Sequence, residues 1–322
     1  MKSLFSRRHF LKAGTAVLLA SALGSSLVHA ADEKVVRIGF QKSSALITLL
    51  KSQGTLEKKL APLGYTVSWH EFTSGLPLLE SLNVGNIDFS ADVADTVPVF
   101  ALAAGADLVF VAKETPSPTA QALLVPQDSP IKTVADLKGK RVGVAKAAGS
   151  HYLLLAALAK SGLGAKDITP AYLSPADGRA AFTKGSIDAW VVWDPFVAAV
   201  QSQSQVRVIT DGSNGLASYQ RYYLASAPFV KANPKVIKLV YGELQEAGKW
   251  VKKNPAEAAA ILAPAWGLDT ATVEKANARR SYDVRPVDKA ALQEAQQIAD
   301  VFFKEELLPK QVNVLGATVW KP

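Results

Sequence analysis

The sequence predicts an α/β fold with two lobes, because strand and helix patterns alternate along the chain and the alternation is interrupted twice. From residue 35 onward, short apolar runs of strand character are followed by segments whose apolar residues recur at helical spacing. This order favours βα units and a mostly parallel sheet. The interruptions lie near 116–124 and 212–224, so the block between them is interpreted as an inserted lobe. One large doubly wound domain is the alternative.

The first part of the chain predicts four strands and three helices before the first interruption. Residues 65–72 alternate between apolar and polar side chains like a half-buried strand, and Pro62 with Gly64 ends the helix before them. The predicted strands are 35–40, 65–72, 87–91 and 108–112, and the predicted helices are 44–53, 56–63 and 76–84. A further short helix is expected around Val99.

The Pro-rich passage 115–118 and the glycine-bearing polar passage 211–218 bracket the middle block. Within it the predicted strands are 123–125, 141–145, 188–193 and 206–210, and the predicted helices are 152–161 and 175–184, with another opening after Pro195. Beyond it a strand is expected at 222–226 and helices at 234–253, 255–264, 270–280 and 288–307. The predicted lobes are therefore 31–120 with 221–322 as lobe 1, and 121–220 as lobe 2.

The first thirty residues have the pattern of a twin-arginine export signal. Arg7 and Arg8 precede Phe-Leu-Lys, an apolar run over 13–28 and the small-residue exit Val-His-Ala ending at Ala30. The apolar run is short and rich in Ala, Gly and Ser, which suits a removable segment better than a permanent membrane span. A signal anchor or an amphipathic helix is the alternative. The pattern predicts a periplasmic protein.

Composition excludes several classes of site. The formal charge of +8 falls to +4 once residues 1–30 are removed, and no run of five like charges occurs, so nucleic acid is not an expected partner. The chain has no cysteine, which excludes disulfides, thiolate metal ligands and iron–sulfur clusters. His70 and His151 are the histidines beyond the signal, so neither a metal nor another cofactor is expected.

Small polar residues recur where predicted strands give way to helices, at 41–44, 73–75, 95–96, 147–151 and 193–195. Free backbone N–H groups and the positive end of the helix dipole make such junctions suitable for anions, and in open α/β sheets they share one edge. The candidate ligand-binding residues are Gln41, Ser44, Ser74, Asp95, Gly149, Ser150, His151, Trp193 and Asp194.

Each of these residues also has a plainer interpretation. The serines and aspartates could simply be helix N-caps, and Trp193 could belong to the core. His151 could be a surface residue or a neighbour of a cap, and Arg279 with Arg280 is interpreted as a surface pair. Gln41 is the strongest candidate, because an amide donor neither caps nor packs well at that position. No catalytic residues are predicted, because no nucleophile elbow, phosphate loop or zinc-spaced His-Glu pair occurs.

Across these residues the chain resembles the periplasmic substrate-binding proteins for aliphatic sulfonates, and more distantly the nitrate, taurine and pyrimidine-precursor binders. The matching segments are 37–42, 78–89, 129–142, 150–152, 175–182 and 188–196. The resemblance implies a type II periplasmic-binding fold, in which two α/β lobes joined by two hinge strands hold the ligand between them. It implies that Gln41 reaches the sulfonate and that Asp95, Ser150, His151 and Asp194 lie at the pocket edge.

The resemblance further implies a monomeric, non-enzymatic protein that captures a small anionic organosulfonate and delivers it to ABC permease subunits in the inner membrane for sulfur uptake. A sulfonate remains ionised at physiological pH, so it needs hydrogen-bond donors at one end and an apolar wall along its tail. A binder for taurine, nitrate or another small anion is the alternative in the same class. An exported enzyme on the same fold is the alternative in a different class.

Overall fold

The computed structural model describes residues 34–322, which form two separate β-sheets with helices packed against them. The predicted export signal lies outside the described residues. The strands are β1 (Lys34–Gln41), β2 (Tyr65–Phe72), β3 (Phe89–Ala94), β4 (Leu108–Glu114), β5 (Gln121–Pro126), β6 (Arg141–Val144), β7 (Thr169–Tyr172), β8 (Ala189–Trp193), β9 (Val206–Asp211), β10 (Arg221–Ser226), β11 (Val284–Arg285) and β12 (Thr318–Val319). The α-helices are α1 (Ala45–Gln53), α2 (Thr55–Leu60), α3 (Gly75–Asn83), α4 (Val97–Ala103), α5 (Gly149–Lys160), α6 (Pro175–Thr183), α7 (Phe196–Gln203), α8 (Ala227–Ala232), α9 (Pro234–Lys253), α10 (Pro255–Trp266), α11 (Thr270–Arg279) and α12 (Lys289–Lys304).

The first sheet has the strand order β11-β4-β10-β3-β1-β2, with β12 beside β4. Strand β1 runs parallel to β2 and β3, so Gln41 at the end of β1 lies opposite Phe72 at the end of β2. Strand β10 is antiparallel to both β3 and β4. The parallel part of this sheet therefore brings the carboxyl ends of β1, β2 and β3 to one edge.

The second sheet has the order β7-β6-β8-β5-β9. Strand β6 runs parallel to β7 and β8, whereas β5 is antiparallel to β8 and β9. The chain passes from the first sheet to the second between Glu114 and Gln121, and it returns between Asp211 and Arg221. The two sheets are thus linked by two crossings, and the lobe boundaries at residues 120 and 220 stay a prediction.

The sequence placed most elements correctly but misjudged several features of the sheets. The expectation of a mostly parallel arrangement is wrong for β5 and β10, because apolar periodicity reports burial and not strand direction. Strand β7 was missed, since it carries Pro170 and is half-exposed at the sheet edge. Helix α5 begins at Gly149, three residues before the predicted start at 152, so the candidate residues there lie in its first turn.

Helices α1, α9 and α10 cover one face of the first sheet. Leu46 of α1, Leu244 of α9 and Leu262 of α10 are fully buried with Ile38 and Phe89 in one apolar cluster. Each such side chain contributes about 1.5–3 kcal/mol through burial, which fixes the sheet that carries Gln41. Among the helices of residues 34–322, none has the length and apolar character that a membrane crossing requires.

Candidate functional site

A small cavity lies between the two sheets, at the carboxyl ends of the parallel strands. Its volume is about 10 Å³, room for about one water molecule, so its walls are nearly in contact. Gln41 and Ser74 line it from the first sheet, Lys146, Gly149 and Trp193 from the second, and Tyr219 and Arg221 from the second crossing and β10. We call this the inner cavity.

Gln41 is buried at the end of β1, and only 5 % of its surface is exposed. Its side-chain amide Nε2 donates a hydrogen bond to the carbonyl oxygen of Asp92 at 3.1 Å, which leaves a second N–H on the same nitrogen. Its backbone N–H donates to Ser44 Oγ at 3.2 Å. Ser44 is the N-cap residue of α1, but its hydroxyl makes no capping bond and instead holds the backbone of Gln41 in place.

Ser74 is the N-cap residue of α3 and also lines the inner cavity. Its backbone is extended, and its hydroxyl makes no hydrogen bond to the first turn of the helix. The first backbone N–H groups of α3 have no partners within the helix, as at every helix start. Ser74 and the start of α3 therefore offer hydrogen-bond donors at the cavity wall.

Helix α5 begins at the opposite wall, where Gly149 is in close contact with the first sheet. A Cβ atom at Gly149 would lie 2.6 Å from Tyr219 Cε2 and 3.1 Å from Ala94 Cβ, so the approach requires glycine. Ser150 is fully buried in the first turn of α5, and its Oγ has no hydrogen-bond partner among the described residues. Gly149 lies at the cavity, and Ser150 lies behind it.

Two non-glycine residues beside this contact have a left-handed backbone, Ala147 with φ 63° and Tyr219 with φ 54°. Such a conformation costs about 1–2 kcal/mol for an L residue. The carbonyl oxygen of Ala147 accepts a hydrogen bond from Thr96 Oγ1 at 2.5 Å, which joins the start of α5 to the first sheet. Strained residues of this kind concentrate at functional sites.

His151 is buried and does not line the inner cavity. Its Nδ1 accepts a hydrogen bond from the backbone N–H of Ala147 at 3.3 Å, and its ring contacts Phe302 edge-on at a centroid distance of 5.1 Å. Burial, together with the charge of Lys146, lowers the pKa of His151 to about 4. The imidazole is therefore neutral at pH 7 and supports the Ala147 turn. The interpretation of His151 as a surface residue is wrong.

Arg221 is the cavity residue that the sequence did not reveal. Its Nε donates to Asp92 Oδ2 at 2.5 Å, its Nη2 to the Asp92 carbonyl oxygen at 2.9 Å, and its Nη1 to the Tyr219 hydroxyl at 2.8 Å. Arg280 Nη2 donates to Asp92 Oδ2 at 3.1 Å and to Glu114 Oε2 at 2.6 Å. Two guanidinium groups and two carboxylates thus form a buried network of zero net charge.

The interpretation of Arg279 and Arg280 as a surface pair is wrong for both residues. Arg280 is buried in the network just described. Arg279 Nη1 donates to both carboxylate oxygens of Asp194 at 2.9 Å, and its Nη2 donates to Gln201 Oε1 at 2.7 Å. Since Asp194 follows β8 of the second sheet, this pair fastens α11 to that sheet.

Asp194 also accepts a hydrogen bond from the backbone N–H of Ala198 at 3.0 Å, in the first turn of α7. Burial raises the pKa of its carboxyl group to about 6, although the charge of Arg279 acts in the opposite direction. Asp194 is therefore placed as a helix-capping and ion-pairing residue beside Trp193, and neither cavity wall includes it.

Asp95 fixes the second crossing against β3. Its carboxylate accepts a hydrogen bond from the backbone N–H of Gln220 at 3.0 Å, and its own N–H donates to the Gln220 carbonyl oxygen at 3.0 Å. Burial and the nearby charge of Glu294 raise its pKa to about 7. This reciprocal pair holds the chain where Tyr219 and Arg221 reach the inner cavity.

A larger cavity of about 330 Å³, the outer cavity, adjoins the inner one and shares Gln41 and Trp193 with it. Phe72, Trp193 and Phe196 supply aromatic walls, and the rings of Trp193 and Phe196 meet edge-on at 5.8 Å. The site thus has most of its hydrogen-bond donors at its inner end and is largely apolar at its outer end, where Lys42 and Glu71 are the charged residues of the wall. Within residues 34–322, no group of three or more His, Cys, Asp or Glu side chains is placed to hold a metal ion.

Comparison with known proteins identifies a family and relatives that are similar to this chain. Residues 73–258 match the family described as NMT1/THI5 like. The chain is 40 % identical to an aliphatic sulfonates-binding protein of Escherichia coli (strain K12), over 98 % of this chain and 97 % of the relative.

Two solved structures share the fold. The alkanesulfonate-binding protein SsuA from Xanthomonas axonopodis pv. citri bound to MOPS matches with a TM-score of 0.85 and 40 % identity, over 91 % of this chain and 100 % of that one. The periplasmic aliphatic sulphonate binding protein SsuA from Escherichia coli matches with a TM-score of 0.81 and 41 % identity, over 90 % and 92 %. These matches confirm the predicted two-lobed periplasmic-binding fold.

Proposed function

This chain belongs to the NMT1/THI5-like family, among the aliphatic sulfonate-binding proteins, and we propose that it is an exported binding protein for an aliphatic sulfonate. In this proposal the ligand is captured between the two sheets and delivered to the permease subunits of an ABC transporter for sulfur uptake. The twin-arginine pattern of residues 1–30 supports a periplasmic location.

The observation that carries the proposal is the change along the site from hydrogen-bond donors at the inner end to aromatic walls at the outer end. At the inner end, the amide of Gln41, the hydroxyl of Ser74 and the start of α3 offer neutral donors, and Arg221 offers a guanidinium already paired with Asp92. Lys146 adds one exposed ammonium group to the same wall. A sulfonate has three acceptor oxygens and a single charge, so neutral donors together with the exposed cation Lys146 match it. Helix starts are suited to such anions.

The outer cavity has the apolar aromatic walls that an alkyl tail requires. Its aromatic walls remove a hydrocarbon chain from water, and each buried methylene contributes about 0.8 kcal/mol, or roughly a fourfold gain in affinity. Nitrate would leave the outer cavity without an apolar partner. Taurine would place an ammonium group against the aromatic walls, in a cavity where the carboxylate of Glu71 is balanced by Lys42. The geometry therefore favours an alkanesulfonate over both.

The same residues give little support to catalysis. The buried carboxylates of Asp92 and Asp194 are held by arginines, and His151 faces away from the cavity among aromatic rings. The outer cavity wall does contain an exposed carboxylate, Glu71, but in the described part of the chain no hydrogen bond joins it to the hydroxyl groups of Ser43, Thr73 or Ser174 in the same wall. We propose a binding function without turnover, in a protein that acts as a monomer.

Calorimetric titration tests the proposal. Hexanesulfonate should bind more tightly than ethanesulfonate, and both more tightly than taurine, nitrate or sulfate. At a hundredfold excess over its Kd, the ligand should stabilise the fold by about 2.7 kcal/mol. Proton spectra of the recovered ligand should show it unchanged. Absence of binding by every alkanesulfonate would refute the proposal, and conversion of the ligand would show that the chain is an enzyme.

A further inference from the structure

We propose that the ligand cleft continues beyond Phe196 into a basic groove that binds a second anionic group at the far end of the ligand. This inference rests on the proposed function and deepens it, because it names the class of sulfonate that fills the whole cleft. The groove encloses about 500 Å³ and shares Lys42, Ala176 and Phe196 with the outer cavity. Continuity through these three residues makes the groove an extension of the same cleft.

The walls of the groove come from both sides of the cleft. Helices α6 and α7 of the second sheet form one wall, and the turn at Trp266, Gly267 and Leu268 after α10 forms the other. A ligand group held there would contact both sides, as the sulfonate does in the inner cavity. Binding in the groove would therefore favour the same closed arrangement of the sheets.

All charged residues that line the groove are positive. Lys42, Arg179 and Lys184 line it, and no aspartate or glutamate does. Lys42 and Lys184 are exposed, and within residues 34–322 none of the three cations forms an ion pair. Arg179 does bond through Nη2 to the Gln203 side chain, which orients its guanidinium. An anion would find three uncompensated positive charges there.

The path between the two anion sites passes the aromatic walls of the outer cavity, beside Lys42 and Glu71. Phe196 and Trp266 line the groove together with Leu268, and Trp266 is 7 % exposed. An alkyl or aryl spacer can lie against these side chains while its two ends meet donors. The fitting ligand class is therefore a long dianion, with a sulfonate at one end and a second sulfonate or a carboxylate at the other.

Paired titrations at low ionic strength test this inference. Butane-, hexane-, octane- and decane-α,ω-disulfonate are compared with the monosulfonates of the same length. Exposed charge pairs contribute about 0.2–1 kcal/mol each, so with three cations in the groove the longer disulfonates should bind about 3- to 150-fold more tightly than their monosulfonates. Raising the salt to about 0.5 M should remove most of that advantage, since exposed charges are screened.

The variant Arg179→Gln with Lys184→Gln should lose the disulfonate advantage and retain the monosulfonate affinity. Lys138→Gln with Lys310→Gln is the matched control. Both lysines are exposed and lie outside the groove, and their substitution removes the same total charge as the groove variant. Lys42 is left intact because it adjoins Gln41.

Three results would overturn the inference: no advantage at any length, an advantage that survives in the groove variant, or an equal loss in the control. Binding of monosulfonates without a disulfonate advantage leaves the proposed function standing. Absence of binding by both series removes the proposed function and this inference together.

Discussion

The close contact between Gly149 and Tyr219 predicts that one added methyl group, in the variant Gly149→Ala, would hold the two sheets apart. In Gly149→Ala the added Cβ would lie 2.6–2.7 Å from the Tyr219 ring and 3.1 Å from Ala94 Cβ. The ring cannot move freely, because it is buried and its hydroxyl accepts the hydrogen bond from Arg221. Gly149 lies on the second sheet's side and Ala94 on the first. Tyr219 is held to the first sheet's side because its neighbours Gln220 and Arg221 bond to Asp95 and Asp92, so separation of the sheets relieves the clash.

The clash therefore makes closure of the two sheets over the ligand less favourable. Overpacking of this kind costs about 1–3 kcal/mol, which corresponds to a loss of about 5- to 150-fold in affinity for hexanesulfonate. Calorimetry measures that loss. Small-angle scattering should show that ligand reduces the radius of gyration of the parent protein more than that of the variant at equal saturation.

Gly242→Ala is the matched control, since a Cβ there meets nothing within 4 Å and α9 is a regular helix. The control should keep the parental affinity and gain about 0.5–1 kcal/mol in stability. If Gly149→Ala binds as tightly as the parent, the closed contact does not form on binding. If it loses folding stability with unchanged affinity, the clash lies within one lobe, and the reasoning fails as well.

Four further predictions follow from the site. Gln41→Ala removes a donor to the anion and should weaken binding about 10- to 150-fold; parental affinity by calorimetry would place the pocket elsewhere. The folded-state pKa of Asp95 is raised from 3.8 to about 7, so the stability that its carboxyl contributes is present below pH 4 and is lost as the pH rises through 7. Asp95→Asn should therefore gain up to about 4 kcal/mol relative to the parent between pH 4 and pH 8 in urea unfolding, and a difference independent of pH would contradict this. Both Asp194→Asn and Asp194→Ala lose the ion pair with Arg279, but Asp194→Asn keeps the acceptor for the first turn of α7 and should retain affinity, whereas Asp194→Ala should lose affinity and about 1 kcal/mol more stability than Asp194→Asn; equal behaviour of the two in thermal unfolding would argue against the capping role. Arg7→Lys with Arg8→Lys should leave the precursor in the cytoplasm, and normal accumulation of the mature protein in a fractionation experiment would refute twin-arginine export.

The sequence predicted the elements well where local chemistry determines them. Helix α9 runs over the predicted 234–253 because Pro234 suits the first helical turn and its apolar residues recur at helical spacing. The predicted strand 35–40 ends just before Gln41, and the structure has Gln41 in the wall of the inner cavity. In each case the deciding residues are neighbours along the chain.

The errors occurred where the deciding partner is distant in sequence. Strand β3 was predicted to end at residue 91, because Asp92 resembles a strand boundary until its partner Arg221 is known. Arg280 looked exposed because its carboxylate partners lie 166 and 188 residues away. No local pattern reveals a buried charge whose neutralising partner belongs to another element, and the same reason concealed Arg221 as a cavity residue.

The balanced network of Asp92, Arg221, Arg280 and Glu114 has a consequence for binding at different salt concentrations. Arg221 brings donors to the inner cavity without a surplus of charge, because Asp92 lies against it and the whole network is buried. Contacts of this kind are screened far less than exposed charges. The contribution of Arg221 to sulfonate affinity should therefore change little with salt concentration, whereas the contribution of the exposed Lys146 should weaken as the salt concentration rises.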